Sequence, residues 1–216
     1  MKWSRDESGE RRGYHHGNLR EALIRAALDL IGQKGPAGFT FADAARMAGV
    51  SSAAPYRHFR DRDALIADVA RRGFELFSEA LQRAWNDGRP EPLAAFENIG
   101  RAFLAFARKE PAYYAAMFEA GVALDSDPEL RQAADNAFAI LRRASETLCA
   151  LLPNGNRPPA LMMSLHVWAL SHGIASLFAR PDGGRRKLPM SAEELLEAAV
   201  LVYLRGLGFA GGPIRT

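Results

Sequence analysis

Apolar residues recur along the chain three and four positions apart, the spacing of one face of a helix. Leu19, Leu23, Ala26 and Leu30 fall on one stripe of a predicted helix over 18–34, with Asn18 as its N-cap. Gly35-Pro36-Ala37-Gly38 stops it. Thr40 caps a second helix, in which Phe41, Ala44, Ala45 and Ala48 take positions i, i+3, i+4 and i+7. Gly49 supplies the left-handed residue of a tight turn, Val50 plugs the core, and Ser51 caps a short third helix over 52–59. Asp61 caps a long fourth helix that runs through Leu65, Val69, Phe74, Leu76 and Phe77 to about Trp85. After a Gly- and Pro-rich break at 86–92, helices are predicted over 93–109, 113–120 and 128–151, the last opened by Asp127-Pro128. Pro153-Asn154-Gly155 ends that helix and Pro158-Pro159 opens an apolar one, closed by Arg180-Pro181-Asp182-Gly183-Gly184. Ser191 and Glu194 form a capping box at the head of the final helix, which reaches about Leu207. No β-branched run alternates with polar residues, so the predicted fold class is all-α.

The apolar helix tests the membrane alternative. Residues 160–178 contain no Asp, Glu, Lys or Arg and match the ~20-residue length a bilayer requires. Ser164, His166, Ser171, His172 and Ser176 interrupt the stretch, and polar groups at that depth are costly. The expectation is therefore a soluble helix buried all round, at a subunit interface or beside an internal pocket, and no membrane partner.

Composition narrows the class. The 216 residues are 48% apolar and 25% charged, enough to bury a core. Cys149 is the single cysteine, which excludes an internal disulfide framework. With a charged, polar beginning that does not read as a secretory signal, the expected setting is cytoplasmic. Net charge is +3, but residues 1–72 carry +4 and the remainder −1. A basic first third beside a neutral remainder points to an anionic partner for the first third alone. The expected division is a flexible basic arm over 1–16, a DNA-binding unit over 17–72 and a larger unit over 73–216.

Residues 40–59, TFADAARMAGVSSAAPYRHF, follow a helix–turn–helix plan in which alanines permit a close crossing. With Pro55 and Phe59 as the buried edge, Ala53 and Arg57 point outward, flanked by Ser52, Tyr56 and His58. That face has a cation, hydroxyls and a titratable ring, and no carboxylate to repel a phosphate backbone. Arg60 and Arg62 follow where they can hold phosphates. Periodicity alone leaves open an ordinary helix corner with incidental arginines. The rival functions are an enzyme or a helical ligand-binding protein without DNA binding. Against an enzyme, the chain has no GxGxxG, GxxxxGK, GxSxG or HExxH motif. No catalytic residue, cofactor or metal is expected, since His166 and His172 stand six apart on one helix.

The stripe in LREALIRAALDLIGQKG followed by FTFADAARMAGVSSAAPYRHFRDRDAL resembles the N-terminal domain of the TetR family of transcriptional regulators. Trp168-x3-His172-Gly173 is similar to the "WHG" type of C-terminal domain in that family. The resemblance implies a homodimer on a palindromic double-stranded DNA operator, most relatives being repressors, with a small-molecule effector held in the C-terminal domain. It implies that Thr40, Tyr56, His58 and Arg62 hold phosphates while Ser52, Ala53, Ala54 and Arg57 face base edges. Pro55 departs from the family, which often has Leu there. Ala53 and Ala54 can read only thymine methyl groups or shape, so polar readout falls on Ser52 and Arg57, with guanine the expected base for Arg57.

In the larger unit, Tyr113, Met117, Phe118, Phe138, Met162, His166 and Trp168 are candidate effector-pocket residues, although aromatics and methionines at helical spacing are also ordinary core. Gly173 is expected to allow a close helix approach, with His172 bonding across the contact. The helices over 158–179 and 191–208, with Leu195, Ala199, Val202 and Leu207, are the expected dimer surface.

Overall fold

Helices begin here where a short polar side chain takes up the first free N–H groups. In the computed structural model, which describes residues 19–152, 155, 157–179 and 188–209, eight α-helices follow one another, with no strand among the described residues. They are α1 (Leu19–Lys34), α2 (Phe41–Met47), α3 (Arg62–Trp85), α4 (Pro92–Lys109), α5 (Pro111–Phe118), α6 (Pro128–Leu151), α7 (Ala160–Ala179) and α8 (Ala192–Gly206). The expected arm, the Asn18 cap and the breaks at 153–154 and 180–184 lie outside the described residues.

The caps expected at Thr40, Asp61 and Ser191 form, and the one expected at Ser51 does not. Thr40 Oγ accepts from Asp43 N–H at 3.1 Å, and Asp43 accepts from Thr40 N–H at 2.8 Å. Asp61 accepts from Ala64 N–H at 2.8 Å, and Asp127 from Glu129 N–H at 2.7 Å. Ser191 and Glu194 close the second box at 3.1 and 2.7 Å. Helix α5 starts at Pro111 rather than at Tyr113, because the fixed φ of proline suits a first helical position.

Helix α3 is the hub, packing on α1, α4, α5 and α6. Phe77 is fully buried there, with the rings of Phe103, Phe106, Phe118 and Trp168 set 5.0–6.5 Å from it. Gly73 permits the α3–α5 approach, since a Cβ would stand 2.7 Å from Met117 Sδ. One core cluster runs from Leu23 to Leu204, and α3 continues unbroken through the expected boundary at 72–73.

Three expectations fail on packing. Val50 is only half-buried, and Leu76 is 40% exposed, on the outer side of α3. Helix α7 is not buried all round. Met163, Ser164, Val167, Ser171, Ile174 and Ala175 face the body, whereas Leu161, Met162, Leu165, Leu177 and Phe178 are exposed. By length and composition α7 could cross a membrane, but its inner side packs on α4, α6 and α8. Ser164 bonds back to the Ala160 carbonyl at 2.7 Å, so its hydroxyl is satisfied within the helix.

The Ala64 N–H bond, then the Arg60 guanidinium, hold the Asp61 carboxyl below its ordinary range. The bonds to Thr40 and Ser191 do the same for Asp43 and Glu194. A carboxyl depressed in the folded state stabilises above its unfolded pKa and loses that contribution as pH falls through the folded one. Asp61→Ala should cost about 0.5–2 kcal/mol near neutral pH. In urea titrations the gap to wild type should shrink below about pH 4.

Candidate nucleic-acid interface

Helix α2 ends at a tight turn in which Gly49 takes φ 72° and Val50 N–H bonds the Ala45 carbonyl at 3.0 Å. The next segment differs from the expected helix over 52–59. It is a single 3₁₀ turn, Ala54–Arg57. Pro55 is the reason. It has no N–H to give the Ser51 carbonyl, and its ring disfavours α geometry at Ala54. The Ser51 carbonyl instead accepts from Ala54 N–H at 3.0 Å, and no side chain caps the turn. His58 and Phe59 N–H both bond the Pro55 carbonyl, at 2.9 and 3.0 Å.

The inner and outer faces come out as the sequence predicts. Pro55 and Phe59 are buried, and Ala44 and Ala45 are the small buried surface of α2. Ser51, Ser52, Ala53, Tyr56, Arg57, His58 and Arg60 are exposed, as is Thr40, and Ala54 is half-buried. Tyr56 is 63% exposed, and its ring stands edge-on to Phe41 at 5.0 Å, which holds the phenol up from the surface. Arg60 pairs with Asp61 at 2.8 Å on the rim. Among the described residues Arg57 has no ion-pair partner.

Arg62 behaves otherwise. Its Nε donates to the Phe39 carbonyl at 2.8 Å, Nη2 donates to the Pro36 carbonyl, and the guanidinium lies over the Phe39 ring at 4.7 Å. Nη1 donates to Asp63 at 3.2 Å. The guanidinium braces the α1–α2 loop against the head of α3 and faces inward.

The seven candidate effector residues do not converge. Trp168 meets Phe118 and Phe138, each at 5.7 Å, while Met117 is buried against Gly73 and Tyr113 is half-buried beside it. Met162 and His166 lie on the opposite, exposed side of α7, where His166 Nδ1 stands 3.3 Å from Tyr203 Oη. At about 100° per residue, positions 162 and 166 lie roughly 120° and 160° around the helix from Trp168, so all three cannot line one cavity. Sequence reasoning missed Tyr114, whose hydroxyl meets His172 Nδ1 at 2.8 Å within the same ring cluster. The signal was present: Tyr114, Met117 and Phe118 share one face of α5. Burial pushes the Tyr114 phenol up and the His172 imidazole down, which favours the neutral form of both rings.

A crevice of about 430 Å³ opens between α4, α5, α7 and the head of α8, walled by Leu104, Ala107, Pro111, Ala175, Phe178 and Ala192. Arg108 and Glu193 pair across its edge at 2.6 Å. None of the seven candidates lines it. Among the described residues no His, Cys, Asp or Glu cluster is placed to hold a metal ion.

The family model of bacterial regulatory proteins of the tetR family matches residues 23–69, and that of the tetracyclin repressor-like C-terminal domain matches residues 96–203. The chain belongs to the TetR family of DNA-binding transcriptional regulators, and the 40–59 segment is its helix–turn–helix. Among solved structures it is similar to a protein of unknown function from Rhodococcus sp. RHA1, at 29% identity and TM-score 0.74, covering 90% of this chain and 98% of that one. It shares its fold with the TetR family regulator PfmR from Thermus thermophilus, at 23% identity and TM-score 0.59, covering 85% and 97%. It shares it also with a TetR-family regulator from Bordetella parapertussis, at 20% identity and TM-score 0.63, covering 88% and 95%. No curated protein matches it.

Arg62→Ala should lower folding stability by about 1–3 kcal/mol, because it strands two loop carbonyls. Denaturant titration checks this, and an unchanged midpoint would refute the bracing role.

Proposed function

We propose that the protein is a cytoplasmic homodimeric repressor that sets one 51–58 face per subunit into successive major grooves of a palindromic operator. A small effector bound in the 73–216 unit then releases it. The exposed, carboxylate-free surface around Tyr56 and Arg57 carries this reading. Ser52 and Arg57 read base edges, Ala53 and Ala54 contact thymine methyl groups, and Thr40, Ser51, Tyr56, His58 and Arg60 hold phosphates. Arg62 supports this surface from behind, its guanidinium being already engaged. The 17–72 unit would thus serve DNA and the remainder effector and partner.

The outer sides of α7 and α8 support a two-fold four-helix contact. Leu161, Met162, Leu165, Leu177 and Val202 are exposed there, and Gly173 and Gly206 have open space where a Cβ would stand. In this reading the close approach expected at Gly173 is made by the partner subunit, since nothing among the described residues fills that space. Such a dimer suits half-sites ~34–36 Å apart. For the effector, the apolar crevice edged by Arg108 and Glu193 is a better candidate than the expected seven residues, which do not line a common space.

A gel-shift titration with the DNA upstream of its own gene tests the operator reading. A salt-sensitive, sequence-preferring complex is expected, and none forming would refute it. Arg57→Ala should cost about 1–3 kcal/mol and relax preference at one base position, measured by selection from random duplexes. Leu165→Asp should convert dimer to monomer in sedimentation equilibrium without loss of helical circular dichroism. A wild-type monomer at micromolar concentration would overturn the dimer.

A further inference from the structure

Asp68 is 5% exposed on α3, where a charge must be matched by its surroundings. Its Oδ1 accepts from Arg20 of α1 at 3.0 Å and from Arg71 at 2.8 Å. Arg72 Nε stands 3.6 Å from Oδ2, which accepts no hydrogen bond from the described residues. Arg72 also grips Glu21 of α1 with both Nη atoms. Arg71 continues to Glu75 at 2.5 Å and stands 3.7 Å from Glu129 at the head of α6. Three guanidinium groups on one buried carboxylate are a poor device for stability alone, because apolar residues of similar volume often serve as well. What such a cluster does supply is a defined geometry.

That geometry reaches the reading turn. The Arg20 guanidinium carbon lies 5.4 Å from the centroid of the Phe59 ring. Phe59 is the inner anchor of the turn, 6% exposed, with its N–H on the Pro55 carbonyl. A lone 3₁₀ turn has few bonds of its own, so the tilt of its outer face follows whatever supports Phe59.

We propose that Asp68 is the positioning residue of the DNA-reading turn: it holds Arg20 beneath Phe59 and thereby aims Ser52, Tyr56 and Arg57 relative to α3. This rests on the reading of that face as the DNA surface. Asp68 touches no DNA itself. Because Arg71 shares the carboxylate and approaches Glu129, the aim is referenced to the body of the larger unit as well as to α1.

The test uses the full-length protein, an operator duplex selected by the wild type from random DNA, and a scrambled duplex of equal length. D68N and R20M should each weaken operator binding about tenfold, or about 1.4 kcal/mol. Scrambled-duplex affinity and the slope of log affinity against log salt should stay at wild-type values. The double variant should be no worse than the weaker single one, as expected for two members of one unit. R20M carries the test if D68N fails to fold, since Arg20 is half-buried and its stem is preserved. A lowered melting temperature with an intact operator-to-scrambled ratio would make the cluster merely structural and overturn the proposal. A salt slope reduced by about one in R20M would make Arg20 a phosphate contact, and overturn it too. If the wild type prefers no duplex, the DNA reading itself fails. If the wild type discriminates and both variants match it, only the positioning role fails.

Discussion

Helix α3 buries Leu65, Ile66 and Val69 in its first half and Phe74, Phe77 and Leu81 in its second. One continuous stretch of backbone therefore belongs to two groups of helices at once, and its rigidity sets their relation. The ring of Phe77 is the centre of this arrangement: α4, α5 and α7 each present an aromatic side chain to it. Gly73 keeps α5 close enough for Met117 to lie against the same helix. A displacement anywhere in the larger unit that moves α3 moves the first half of that helix, where Arg62 bonds the Pro36 and Phe39 carbonyls and Asp68 bonds Arg20 of α1.

The reading turn is thin by comparison. Pro55 removes one N–H and leaves four residues of 3₁₀ geometry where two turns of α-helix were expected. Its outward face survives this change because Pro55 and Phe59 still anchor the inner side. The polar residues around it divide by what engages them. Arg57 has no ion-pair partner among the described residues and Tyr56 projects into solvent, whereas Arg62 is drawn inward by two loop carbonyls and an aromatic face.

Membership of the family makes the general activity plain, and the details of this chain lie in departures from the expected pattern. The aromatic cluster around Trp168 is tightly filled, with Tyr114 and His172 satisfying each other inside it. Open space lies instead beside α8, next to a charged pair. The outer side of α7 remains apolar and exposed among the described residues.

The starts of α2, α3, α6 and α8 and the inner and outer sides of the reading turn were legible in the amino-acid order, because caps and 3.6-residue periodicity act within about four positions. Thr40, Asp61, Asp127 and Ser191 each bond a backbone N–H within three residues. The tertiary structure alone decided the rest. Arg62 bonds carbonyls 23 and 26 positions away, Arg20 meets a carboxylate 48 positions on, and Tyr114 finds its histidine 58 positions away. The exposure of Leu76, Met162 and His166 was equally hidden, since periodicity marks a helix's apolar residues without saying how many sides its neighbours will cover.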